Sequence, residues 1–176
     1  QFTFSSSKKK YSEVYSSVID KKCKIYFDNL SKREIQWENY LVGSLISISK
    51  KRKVKLKNFN CLIEGDLPLG SGISSSSSLI CGFIKGIDQL NNLNLNNDEI
   101  LSVSREVEYD FIGLKGGIMD QFTIINSKKN NFILLNTADN SAEFIKSDLG
   151  DYKLLLLNTN KKHNLSESAY NKRVEE

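Results

Sequence analysis

The chain has 176 residues, of which 39% are hydrophobic and 26% are charged, and its net charge is +4 at pH 7. This composition is typical of one or two globular domains and excludes collagen, long coiled coils and wholesale disorder. The charge is too small to predict a nucleic-acid partner, and no apolar run reaches the roughly 18–20 residues of a membrane-spanning helix, so we expect neither partner.

Both ends of the chain carry secondary-structure signals. The sequence opens without an initiator Met on a strand-like alternation at Phe2 and Phe4, and it closes on Asn-Lys-Arg-Val-Glu-Glu, which is typical of the beginning of a helix. We therefore expect these residues to be the middle part of a longer protein, truncated at both ends.

The first third of the chain predicts short strands, one helix and another strand. The strand signals lie at Phe2/Phe4 and at residues 24–27, and residues 58–64 form an alternating apolar strand. Between them, apolar side chains recur at helical spacing from Trp37 through Tyr40, Leu41, Leu45 and Ile48. The basic run at residues 50–57 has no interleaved aromatic side chains, so we interpret it as a solvated turn between helix and strand.

The rest of the chain predicts three helices and then three strands. The first helix begins near Ser74–Ser76, the second is capped by Asp98 and ended by Gly113, and the third follows Gly116-Gly117. Strands are predicted at residues 131–135, 142–145 and 152–157. Strands, then packed helices, then strands indicate an α+β fold with a mixed sheet rather than repeated βαβ units.

The cysteines give no sign of a metal centre. Cys23, Cys61 and Cys81 are widely spaced and odd in number, no CxxC pair occurs, and the only histidine is His163. We expect three reduced, buried thiols and no zinc site built from these residues.

The most informative segment is a Gly-x-Gly turn followed by five serines, which spans residues 68–78. A flexible serine linker is the alternative, but an alternating strand precedes the turn and an amphipathic helix follows it. Glycines allow a phosphate to approach the backbone closely, and the amide groups at a helix N-terminus attract anions. The segment therefore predicts a phosphate site, although it matches neither a Walker A loop nor a Rossmann fingerprint.

Two further features fit phosphate chemistry. Glu106 and Glu108 follow on a predicted helix, and a carboxylate there could complete a Mg²⁺ site with a serine hydroxyl. Asp120 begins the third predicted helix beside apolar residues. The alternatives are a solvated helix carboxylate in the first case and a simple N-terminal helix charge in the second.

These residues resemble a known family. Residues 68–76 are similar to the Pro-x-Gly-x-Gly-Leu-Ser-Ser-Ser motif of the GHMP small-molecule kinases. Residues 117–122 (Gly-Ile-Met-Asp-Gln-Phe), residues 36–40 (Gln-Trp-Glu-Asn-Tyr) and the segments 158–165 and 168–173 resemble motifs of the galactokinase family within that superfamily. The motifs occur in family order over nearly the whole chain.

The resemblance implies a role for each matching residue. The ATP phosphates would lie against Gly70, Ser71, Gly72, Ile73, Ser74, Ser75 and Ser76. Ser76 and Glu108 would bind Mg²⁺, Asp120 would be the catalytic carboxylate, and Gly117, Asp120 and Tyr170 would line the sugar pocket. The implied reaction is the phosphorylation of the anomeric hydroxyl of galactose by ATP, which gives galactose 1-phosphate.

The resemblance also implies the domain organisation. Residues 1–160 would form most of a GHMP-kinase N-terminal domain, similar to domain 2 of ribosomal protein S5, and residues 161–176 would begin the connection to a C-terminal domain. Such an enzyme works in the cytoplasm. The family's Gly-Glu-His-Thr-Asp-Tyr segment, the arginine before it and the C-terminal glycine-rich motif are not in this sequence, so we expect residues 1–176 alone to be inactive.

Four positions depart from the family motifs. Ile73 replaces a leucine, Ser77 replaces an alanine, Ile80 stands where galactokinases commonly carry Glu, and Ala169 replaces a Glu. Two alternatives stay open, and the serine at position 77 is the feature that leaves the first of them open. The first alternative is a galactokinase-like sensor of sugar and ATP that does not turn over. The second is a GHMP kinase for another sugar or small alcohol.

Overall fold

The core of the fold is a four-stranded mixed sheet. The computed structural model describes residues 1–157, and the sheet is built from β1 (Phe2–Ser6), β2 (Ser12–Ser16), β3 (Lys21–Ile25) and β4 (Phe59–Ile63). The strands lie in the order β1-β4-β2-β3, with β4 antiparallel to β1 but parallel to β2, and with β2 antiparallel to β3. This confirms the predicted mixed sheet.

Four α-helices and a hairpin complete the described part of the chain. The helices are α1 (Gln36–Arg52), α2 (Ser75–Asn91), α3 (Asn97–Glu106) and α4 (Met119–Asn126). A π-helical segment, Val107–Ile112, continues directly from α3. The hairpin pairs β5 (Asn131–Asn136) with β6 (Ser141–Lys146) in antiparallel register. The predicted helices and the first two of the three late strands are thereby confirmed.

The helices pack against the sheet through one main hydrophobic core. Alternate residues of β4 are buried, and they join the buried faces of α1, α2 and α3. Helix α2 lies very close to β1, because Gly82 and Gly86 face the rings of Phe2 and Phe4. The ring of Phe4 in turn packs against Phe59 at a centroid distance of 5.6 Å. These contacts fix α2, and therefore the loop before it, on the sheet.

Two predictions of local structure were wrong. Asp98 does not cap α3: the N-cap is Asn96, whose side chain accepts a hydrogen bond from the Glu99 amide while the Glu99 side chain accepts one from the Asn96 amide. Such a reciprocal capping box satisfies two free amides at once, which Asp98 two positions later would not do. Residues 152–157 do not form a strand, and Tyr152 and the leucines at 154–157 are 76–85% exposed. Within residues 1–157 no strand lies beside this segment to satisfy its backbone.

The basic run and the cysteines behave largely as predicted. Helix α1 ends within the basic run, where Lys53 adopts a left-handed backbone, but Arg52 forms a salt bridge of 2.8 Å with Glu99 and is not simply solvated. All three cysteines are free and buried. Among residues 1–157, no helix is both long enough and apolar enough to cross a bilayer.

Candidate phosphate and metal site

The loop between β4 and α2 has an unusual backbone. Gly70, Gly72 and Ser74 all have positive φ angles, of 68°, 75° and 60°. Glycine adopts this left-handed conformation freely, whereas for Ser74 it costs about 1 kcal/mol. The Ser71 hydroxyl donates to the carbonyl of Pro68 at 2.7 Å, which closes the turn. A loop in which every second residue has a positive φ angle turns successive N–H groups toward one concave side, where an anion can bind.

Helix α2 begins without a side-chain cap. Ser74 occupies the N-cap position, but its hydroxyl caps no amide, and the first turn contains no acidic residue. The first intrahelical bond runs from the Ser78 amide to the Ser74 carbonyl, at 3.0 Å. The amides of Ser75, Ser76 and Ser77 precede that bond, and such first-turn donors need an external acceptor. Together with the helix dipole, they make this terminus attractive to phosphate.

Glu108 is a buried carboxylate held on both sides. It lies in the π-helical segment and is only 6% exposed. The Ser77 hydroxyl donates to its Oε1 atom at 3.0 Å, and the Gln121 amide donates to its Oε2 atom. Burial raises the pKa of this carboxyl group, and these two hydrogen bonds only partly offset the rise. A buried acid between two helix N-termini is a candidate ligand for a cation.

Asp120 lies near this carboxylate. It sits in the first turn of α4, as predicted, and is half-buried. Its negative charge also contributes to the raised pKa of Glu108, after the larger effect of burial. Gly117, two residues before α4, is exposed, and a Cβ there would have no neighbour within 4 Å. The structure therefore brings Asp120 and Glu108 together at the N-terminal end of α4. Tyr170 lies outside the described residues.

The serine that contacts Glu108 in the structure is not the serine that the prediction paired with it. Glu108 bonds to Ser77, and no hydrogen bond joins it to Ser76 within residues 1–157. Ser77 is 2% exposed, whereas Ser76, the residue before it in the helix, is half-buried. The sequence reasoning missed both partners of Glu108. The available signals were the serine at position 77 in place of the motif alanine, and the position of Gln121 directly after Asp120.

The comparison with family models decides the classification. The model of the GHMP kinases N terminal domain matches residues 39–128, which include most of α1 and all of the loop, α2, α3 and α4. The chain belongs to the GHMP kinase family. Among solved structures, that of the Methanococcus jannaschii mevalonate kinase has a similar fold. It matches this chain with a TM-score of 0.62 at 21% identity, over 70% of this chain and 40% of that chain.

More similar relatives of this GHMP kinase chain are galactokinases. The galactokinase of Clostridium perfringens strain 13 is 40% identical over 151 residues, which are 85% of this chain and 39% of that protein. The galactokinase of Lactobacillus helveticus is 37% identical over 93% of this chain and 46% of its own length. The crystal structure of Lactococcus lactis galactokinase complexed with galactose matches with a TM-score of 0.89 and 31% identity, over 99% of this chain and 46% of that chain. This chain spans less than half the length of these relatives.

Proposed function

We propose that this chain carries the nucleotide-binding half of a galactokinase, which transfers the γ-phosphoryl group of ATP to the anomeric hydroxyl of galactose. The observation that carries the proposal is the loop of residues 70–74, with its three positive φ angles, in front of an uncapped helix N-terminus. The similarity of the chain to galactokinases, at 37–40% identity, supports the choice of galactose among the substrates of the family.

The phosphate groups of ATP would lie against the loop from Gly70 to Ser76. The first-turn amides of α2 supply donors, and the side chains of Ser75 and Ser76 are accessible enough to donate as well. Because the first turn lacks acidic residues, nothing in it repels the polyphosphate. Phosphoryl transfer depends mainly on positioning and charge neutralisation, and a rigid row of donors serves both.

A Mg²⁺ ion fits the residues beside this loop. Within residues 1–157 no three His, Cys, Asp or Glu side chains are grouped to hold a metal ion. Mg²⁺ in kinases, however, is commonly held by one or two carboxylates together with substrate phosphates and water. Each Glu108 oxygen accepts one protein hydrogen bond and keeps another acceptor position. Ser76 directly precedes Ser77 in the first turn of α2. We therefore assign Glu108 and Ser76 to Mg²⁺, which would neutralise phosphate charge when bound.

Asp120 would act on the acceptor sugar. Its carboxylate would accept a hydrogen bond from the anomeric hydroxyl, hold it in line with the phosphoryl group and take its proton. Gly117 would leave room for the sugar ring, since a Cβ at this position meets no neighbour. Tyr170, which lies outside the described residues, would complete the proposed sugar pocket.

The proposal extends to domain organisation and location. Residues 1–160 would form most of the nucleotide-binding domain, and residues 161–176 would begin the connection to a second domain. Three free, buried thiols are typical of proteins in a reducing compartment, which supports a cytoplasmic location.

A phosphorylation assay with a sugar panel tests the function. The protein that carries these residues, expressed at its full native length, should convert galactose and Mg-ATP to galactose 1-phosphate over many turnovers. Galactose-dependent ATP binding without turnover would instead favour a sensor. Turnover of another sugar or alcohol, with galactose inert, would mean that the substrate assignment is wrong.

A further inference from the structure

Two buried polar side chains, from two different helices, donate hydrogen bonds to one buried carboxylate in a third element. Ser77 comes from the first turn of α2, Glu108 from the π-helical segment and Gln121 from the first turn of α4. Their exposed fractions are 2%, 6% and 2%. Each carboxylate oxygen receives a different donor: the Ser77 hydroxyl bonds Oε1, and the Gln121 amide bonds Oε2.

We infer that Ser77 and Gln121 are positioning residues that hold Glu108 in the orientation required to bind the divalent cation. The inference rests on the proposed function, since it assumes that Glu108 binds this ion. A free glutamate side chain loses rotamer entropy when it binds a metal, but a carboxylate held at both oxygens has already lost it. Residues that hydrogen-bond to metal ligands commonly act in this way, and their substitution typically lowers metal affinity by about 10- to 100-fold.

The backbone supports the same role. A π-helical turn is rare and occurs mostly at functional sites. Here the carbonyl of Glu108 accepts the amide of Leu114 at 2.8 Å, and Gly113 ends the segment with a φ of 88°. The segment thus fixes the main chain of Glu108, while Ser77 and Gln121 fix its side chain. Gln121 also keeps a buried Oε1 atom without a protein partner, so its amide is held through Glu108.

The test compares Ser77→Ala with Ser78→Ala in the protein at its full native length. Ser78 is the adjacent helical serine, is half-buried and makes no side-chain hydrogen bond within residues 1–157. The dissociation constant of the non-hydrolysable analogue AMPPNP is measured by calorimetry in Mg²⁺ and again in EDTA. The ratio of the two constants reports the contribution of the ion separately from the loop.

We expect Ser77→Ala to reduce the Mg²⁺-dependent gain in affinity by about tenfold, the lower end of the range for partners of metal ligands. The constant in EDTA should change less than twofold, and Ser78→Ala should match the wild type in both conditions. Gln121→Met, which removes the other donor at similar volume, should also reduce the gain. Because both donors act on one carboxylate, the double variant should lose less than the product of the single losses.

Three results would overturn the inference. If Ser77→Ala behaves like Ser78→Ala, or if it tightens Mg-AMPPNP binding because the hydroxyl competes with the ion, Ser77 does not position Glu108. If Ser77→Ala does not fold, Ser77→Cys, a weaker donor of similar size, gives the same comparison. A wild type that binds no Mg-nucleotide would overturn the proposed function as well, whereas an active wild type with indifferent Ser77 variants would overturn the positioning role alone.

Discussion

Replacing Glu108 with glutamine separates the proposed cation-binding role of this residue from its structural role. Ser77 can still donate to the Oε1 atom of the new amide. Gln121 can rotate its own amide by half a turn, so that its Oε1 atom, which has no partner, accepts from the new NH₂ group. Both hydrogen bonds survive and the number of unpaired buried atoms stays the same. We therefore expect the free energy of unfolding to change by less than about 1 kcal/mol, below the cost of one broken buried hydrogen bond.

The loss of charge should have a much larger effect on the ion. At an effective dielectric constant of about 20, a carboxylate attracts a divalent cation about 4 Å away by about 8 kcal/mol. If water recovers about half of this when the carboxylate is replaced, about 4 kcal/mol is lost, which corresponds to about 10³-fold in Mg²⁺ affinity. Turnover at low Mg²⁺ should fall accordingly, and high Mg²⁺ should restore part of it.

The assay is a Mg²⁺ titration of galactose phosphorylation, accompanied by thermal or urea unfolding of the same protein. Glu106→Gln is the matched control, because Glu106 is half-buried, lies two residues earlier and makes no side-chain hydrogen bond within residues 1–157. If the two variants show the same Mg²⁺ requirement, the assignment of the ion to Glu108 is wrong. If Glu108→Gln unfolds far more easily than the wild type, the proposed exchange of hydrogen bonds is wrong.

Three further outcomes are expected. Asp120→Asn should lower kcat by about 10²-fold or more with little change in nucleotide affinity, because it removes the proton acceptor and keeps the shape; a loss of only a few-fold would make Asp120 a simple helix-terminus charge. Gly86→Ala should destabilise the fold by about 2 kcal/mol in urea unfolding, because its Cβ would overlap the half-buried ring of Phe4. Gly65→Ala, with its nearest neighbour at 4.0 Å, should change stability by less than about 0.5 kcal/mol. Burial raises the pKa of each of the three cysteines to about 12, so iodoacetamide at pH 8 should alkylate them only after denaturation, and rapid labelling of the native protein would contradict their burial.

The main helices could be predicted because their signals are local. In α2 the apolar residues repeat at helical spacing, and a Gly-x-Gly turn marks where the helix can begin. The structure places the first residue of this helix at Ser75, inside the predicted range. Helix α3 was predicted for the same reason, but its cap was not, because Asn96 and Asp98 are both good capping residues. Only the reciprocal bonds with Glu99 decide between them.

The strand predicted at residues 152–157 shows the opposite limit. Its apolar residues have the propensity for a strand, but propensity reflects packing against neighbours rather than a preference of the backbone alone. In the described part of the chain no neighbour is present, and the leucines stay exposed. A strand prediction from sequence therefore always includes an assumption about a partner, which the segment itself does not encode.

The candidate site combines both cases. The loop proposed to bind phosphate was predictable because all its parts are consecutive, from the glycines at 70 and 72 to the serines that begin α2. The environment of Glu108 was not, because Ser77 lies 31 residues before it and Gln121 lies 13 residues after it. Helical periodicity distinguishes the buried Glu108 from the more accessible Glu106 only if the helix is regular, and the π-helical turn begins between them, at Val107. The change of helix type lies between the two carboxylates, and only the packed structure shows which hydroxyl and which amide donate to Glu108.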